Sequence, residues 1–73
     1  MSGQRQKPGS EHVEWLQVDG NLVEVVGCWD EQTPDEQYDF YDLYLDGACI
    51  NEGNPCHERP TEETARALIK DAQ

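Results

Sequence analysis

Positive charge is what this sequence lacks over most of its length. Between Lys7 and Arg59 there is no lysine or arginine, against thirteen aspartates and glutamates, and the chain as a whole carries a formal net charge of −11. Such a field reaches about 8 Å into solvent at physiological salt. It disfavours direct attachment to DNA, RNA or anionic lipid and favours a basic protein, or a surface that ordinarily receives nucleic acid, as the partner.

Long apolar runs are missing too. "MSGQRQKPGS" has charge but no apolar segment of signal-peptide type, and no stretch approaches the roughly 20 residues that span a bilayer. The expectation is a soluble, cytoplasmic protein without membrane attachment. Cysteine is sparse and odd in number (Cys28, Cys49 and Cys56), which fits reduced thiols better than a disulfide framework.

Chemical signatures are equally thin. The acids of "DEQTPDEQYD" lack the calcium-loop pattern of alternating ligands, central glycine and closing glutamate, and Gly20, Gly27, Gly47 and Gly53 stand singly rather than in a phosphate-binding loop. Cys49, Cys56 and His57, with Cys28, are weak candidates for zinc, because the sequence shows no close Cys-x2-4-Cys pair and adjacent Cys56-His57 point apart in extended chain. The same adjacency argues against a nucleophile and its base, which normally come from separate segments. With 73 residues the chain is also small to enclose a substrate pocket, so it reads as non-enzymatic and without a cofactor.

What is present is a pattern of strands. Residues 1–10 read as a mobile leader and 11–73 as one small domain, lean at 36% hydrophobic residues. "HVEWLQV" and "LVEVVGCW" flank Asp19-Gly20-Asn21 and predict a hairpin; Tyr38–Leu45 and "ACIN" flank Asp46-Gly47 and predict a second. After the breakers Gly53, Pro55 and Pro60, Thr61 is placed to cap a helix with Glu62 and Glu63 in its first turn. Ala65, Leu68, Ile69 and Ala72 form its apolar stripe. The predicted fold is α+β: a four-stranded antiparallel meander followed by one helix, ββββα.

Alternation then sorts the side chains. Leu16, Val18, Val23, Val25, Tyr41, Leu43, Leu45, Ala48 and Ile50 share one face, the natural core under Leu68 and Ile69. The other face receives Val13, Trp15, Val26, Cys28, Phe40, Asp42, Tyr44 and Cys49, too apolar for a sheet whose back is simply wetted. One short helix cannot cover both. Either the sheet curls and hides this second set, leaving the tyrosines as half-buried packing residues, or the set is a surface patch ringed by acids.

The second alternative makes Trp15, Phe40, Asp42 and Tyr44, with Asp35, Glu36 and Asp39, a partner-binding surface. It would serve a non-catalytic interaction or regulatory module that takes a basic or apolar protein, or weakly a second copy of itself. A different class is a nucleic-acid mimic that inhibits a DNA- or RNA-binding protein, since alternate residues on a strand lie ~6.5–7 Å apart, comparable with phosphate spacing. A small zinc module is third.

Overall fold

Two Asp-Gly pairs set the register of the whole sheet. In the computed structural model, which describes residues 6–72 with side chains through Asp71, Asp19 and Gly20 have φ of 50° and 84°, and Asp46 and Gly47 have 53° and 83°. Two successive positive φ angles define the turn whose twist matches that of paired strands, and Asp-Gly reaches it at little steric cost. Val18 therefore pairs with Asn21 and Leu45 with Ala48.

The strands are β1 (Gly9–Val18), β2 (Asn21–Trp29), β3 (Phe40–Leu45) and β4 (Ala48–Cys49), and the helix is α1 (Glu62–Ala72). They form one antiparallel sheet in the order β1-β2-β3-β4, with α1 packed against β1. The fold is the α+β meander with a C-terminal helix that the residue pattern predicts. Residues 1–5 of the expected leader lie outside the described residues, whereas Gly9 and Ser10 already pair with Trp29 and Cys28.

The core sits where alternation puts it. Val18, Val23 and Leu43 from the sheet meet Ala65 and Ile69 from α1, with Leu16, Leu45, Ile50, Cys56 and Leu68 packed around them. Thr61 caps the helix as expected: its hydroxyl accepts from the Thr64 amide at 3.3 Å, and its carbonyl accepts from the Ala65 amide at 3.0 Å. Ala72 lies beyond the described side chains, and Ala48 is exposed at the sheet corner rather than part of the core.

The helix covers only one end of that face. The other end is closed by aromatics: Trp29, Tyr38 and Tyr41 pack as tilted rings with centroids 6.0 and 5.6 Å apart, and the Tyr38 ring lies so close over Gly27 that no Cβ would fit beneath it. Gly27 thus provides the recess for Tyr38, and the Tyr38 hydroxyl is held by Glu11. Trp29 is in turn fixed by its indole N–H, which donates to the Gln6 carbonyl at 2.7 Å.

One departure from simple alternation lies in β1. The register slips between His12 and Glu14, so Val13 is an extra residue facing no partner of its own. The slip reverses parity towards the strand's start: His12 joins Trp15 on one face, while Glu11 opposes Gly27 on the other. Val13, expected beside Trp15, is instead the half-buried residue of this bulge.

Candidate functional site

The face of the sheet opposite the helix carries His12, Trp15 and Gln17 from β1, Leu22, Glu24, Val26 and Cys28 from β2, and Phe40, Asp42 and Tyr44 from β3. No described element packs over it. Trp15 is 54% exposed and Leu22 53%, the two large apolar side chains most open to solvent among the described residues. Val26, Phe40, Asp42 and Tyr44 are half-buried, and the segment from Asn51 to His57 flanks Phe40 and Asp42 across a hollow of about 470 Å³. The face is open at its Trp15 end.

The ends of the face differ. Around Trp15 the His12 ring stands 5.2 Å away, and His12 Nδ1 lies 2.8 Å from the Glu24 carboxylate, which itself opposes Trp15 across the strands. Trp15, Leu22, Glu24, Tyr44 and Asp46 line a shallow hollow of about 220 Å³. At the other end Cys28 is buried and donates its S–H to Asp42 at 3.6 Å. Burial, then the Asp42 charge, pushes the Cys28 thiol up to about 11, so it is held protonated and unreactive at neutral pH. Burial and Asp42 also hold the Tyr44 phenol above its ordinary range, leaving a neutral hydroxyl donor.

Trp15, Phe40, Asp42 and Tyr44 therefore share the face on which they were expected. Asp35 and Glu36 do not join them: they lie in the loop after Trp29, and Asp35 pairs with Lys7 at 3.0 Å. Asp39 borders the face, its amide donating to the Cys28 carbonyl at 2.7 Å. The residues that sequence reasoning left out are His12, Leu22 and Glu24. Leu22 was available from alternation with Val26 and Cys28; His12 was not, because its position depends on the bulge.

Cations also return to the sheet from outside the acidic stretch. Arg59 reaches Glu14 and Arg66 reaches Asp19, each at 2.9 Å, with both guanidiniums raised by the hydrogen bond to their carboxylate partner. With Lys7 on Asp35, these pairs bring cations from the two ends of the sequence onto acids of its middle; in contact with solvent they are screened and contribute little to stability. They lie on the helix side or in the loop; among the described residues the basic side chain against the acids of the Trp15 face is the His12 ring, beside Glu24.

The thiols and His57 do not converge on one point, although Cys49 lies near Cys28 and both Cys49 and Cys56 contact the Asn51 side chain. Cys28 contacts Asp42, Cys56 packs beneath the core opposite Tyr41, and the His57 ring turns to the Asp39 carbonyl at 3.3 Å. Among the described residues no group of three or more His, Cys, Asp or Glu side chains is placed to hold a metal ion. Asp30, in the acidic loop, spends its carboxylate on local donors: Gln32 N–H at 2.8 Å and both the amide and hydroxyl of Thr33 at 3.0 Å. These bonds, the Gln32 amide first, lower its pKa.

The outer edge of β3 is closed in an unusual way. β4 supplies only Ala48 and Cys49, and beyond them a side chain does the pairing: Asn51, 3% exposed, accepts the Leu43 amide on Oδ1 and donates Nδ2 to the Tyr41 carbonyl, both at 3.0 Å. Cys49 adds its S–H to the same oxygen at 3.2 Å. The Asn51 amide thus imitates the peptide unit of an absent strand.

No protein-family model, curated protein or solved structure matches this chain. Among the described residues no helix is long and apolar enough to cross a membrane.

Proposed function

We propose that the protein is a non-catalytic interaction module that binds a basic segment of another protein on the open sheet face, with Trp15 and Tyr44 as apolar anchors and Glu24, Asp42 and Asp46 as the acidic rim. The observation that carries this reading is the exposure of Trp15 beside Leu22 in an acid-rimmed hollow. Aromatic anchors surrounded by polar groups supply most of the energy in protein interfaces, while the rim charge selects the partner. The charge of −11 selects against nucleic acid and for a cation-rich chain.

This reading is favoured over nucleic-acid mimicry because the acids form no continuous file: Glu14, Asp19 and Asp35 are ion-paired, and the remainder are divided between the two faces and the loops. Selection of random displayed peptides on the wild-type protein separates the two. Enriched peptides should combine lysine or arginine with aromatic or β-branched residues, and should lose about tenfold or more in affinity on Trp15→Ala or Tyr44→Ala, with modest salt dependence. Enrichment that ignores both substitutions contradicts the proposal. Binding only to a nucleic-acid-handling protein, steeply weakened by salt and displaced by DNA or RNA, would replace it with mimicry.

A further inference from the structure

The two edges of the sheet are finished differently. On the β4 side the outward groups of β3 are all engaged: the Leu43 amide by Asn51, its carbonyl by the Ile50 amide at 2.9 Å, and the Tyr41 amide by the Cys56 carbonyl at 2.7 Å. On the β1 side, among the described residues, the ten-residue strand Gly9–Val18 exchanges backbone hydrogen bonds with β2 alone. One margin is sealed even to the point of using a side chain as a strand, while a longer one is left open.

Antiparallel pairing fixes which groups on the open margin are available. Tyr41 and Leu43 send their backbone groups away from β2, so Asp42 and Tyr44 bond to Val26 and Glu24. Val25 and Val23 then bond to Glu14 and Leu16, and the groups left pointing outward belong to Trp15 and Gln17. These are also residues whose side chains stand on the open face. A free backbone template and the aromatic anchor thus lie on the same two residues.

We propose that the partner segment binds as an added strand along the outer edge of β1, hydrogen-bonded to the backbone of Trp15 and Gln17, and that this strand is cationic. The inference rests on the face proposed above as the binding surface and adds the mode of attachment. Strand addition draws affinity from main-chain bonds and specificity from alternate side chains. Here those side chains fall beside His12, Trp15 and Gln17, where a lysine stem can lie along the indole and its ammonium reach Glu24. Arg59 and Arg66 occupy the helix side against Glu14 and Asp19, so they direct the incoming cations to the open side.

The occupant is not a second copy. Bulges and acidic side chains are the usual guards against edge-to-edge association, and β1 has both, with the slip between His12 and Glu14 and the acids Glu11 and Glu14. Two chains of charge −11 would also bring these acids together. A cationic strand of another protein meets no such repulsion, and on the open side it finds Glu24.

The test uses the full chain, labelled with ¹⁵N, and a short blocked peptide of alternating lysine and valine as the probe. At saturation, amide exchange at Trp15 and Gln17 should slow about tenfold or more. Methylating alternate peptide nitrogens on the edge that would face β1 should abolish binding, and Gln17→Pro, which removes one outward donor, should weaken it about fivefold or more. If the peptide shifts the Trp15 and Tyr44 resonances while exchange at Trp15 and Gln17 is unchanged, or if the methylated peptide binds equally, strand addition is overturned and the face remains the binding surface. Absence of binding overturns both. Concentration-dependent protection of Trp15 and Gln17 without peptide would assign the edge to a second copy and overturn the cationic occupant.

Discussion

The two faces of this sheet are built from the same strands and nearly the same residue types, yet they meet opposite fates. On one, Val18, Val23, Val25 and Leu43 are sealed by α1 at one end and by the tilted rings of Trp29, Tyr38 and Tyr41 at the other. On the other, Trp15 and Leu22 are exposed and Val26, Phe40 and Tyr44 half-buried, with no helix laid over them. Cover, rather than hydrophobicity, decides what a residue contributes: apolar area removed from water stabilises the fold, and apolar area left in water is available to a partner. The segment "YDFYDLYLDG" shows the division within a few positions, since Tyr38 and Tyr41 close the covered face while Phe40 and Tyr44 belong to the open one.

The largest contrast should come from truncating one residue on each face. Leu43→Ala, at a position 0% exposed, should cost about 2–5 kcal/mol, whereas Trp15→Ala, at 54% exposure, should cost under about 1 kcal/mol while removing partner affinity. Urea unfolding followed by far-UV circular dichroism measures both. Equal losses would mean that the faces are not energetically distinct.

Next in size is Asn51→Ala. It strips the Leu43 amide of its partner at a site 3% exposed and leaves the Tyr41 carbonyl with only the longer bond from the Cys56 amide, 3.4 Å, and should destabilise the protein by about 1–3 kcal/mol. Hydrogen exchange should accelerate first at Leu43. If Leu43 keeps its protection, the side chain is not standing in for a strand.

A smaller effect separates the faces by pH. The Cys28 thiol is raised from an ordinary 9.0 to about 11, so the unfolded chain releases that proton before the native state does. The contribution to stability is therefore complete below pH 9 and is lost as pH rises towards 11. Comparing wild type with Cys28→Ala across this window should show a steeper alkaline loss in the wild type; parallel curves would dismiss Cys28 as the cause.

The smallest predicted change is in the loop. Glu36 adopts φ of 71°, a left-handed conformation that a glutamate bears at some cost, in the turn closed by Gln37 N–H on the Pro34 carbonyl. Glu36→Asn should raise stability by about 0.5 kcal/mol, readable as a shift in the urea midpoint, and should leave both faces unchanged. A drop would indicate that the Glu36 side chain is itself used.

Much of this was legible from the residues, for physical reasons that also mark where legibility ended. Asp-Gly turns and period-two alternation fix register locally, so the residue pattern alone assigns Val23, Val25 and Leu43 to the core and Trp15 and Tyr44 to the opposite face. What escaped depends on contacts between distant segments. Nothing near Val13 announces the bulge that turns His12 towards Trp15, and nothing near Asn51 announces that its amide completes the edge of β3. Tyr38 read as the first residue of a strand; it precedes β3 and covers Gly27 instead, a pairing of positions that only the folded sheet creates. Asp35 and Glu36 resemble the residues of the face in charge alone, and charge does not specify place.

Solvent access at the two indoles tests the central contrast most directly, because one tryptophan belongs to each face. With both positions replaced biosynthetically by 5-fluorotryptophan and the dilute monomer observed by ¹⁹F NMR, the Trp15 resonance, assigned by its loss in Trp15→Phe, should move between H2O and D2O, while the Trp29 resonance should stay nearly fixed. Two equally protected resonances would show that Trp15 is sealed, and the open acid-rimmed face, with the binding function assigned to it, would have to be abandoned.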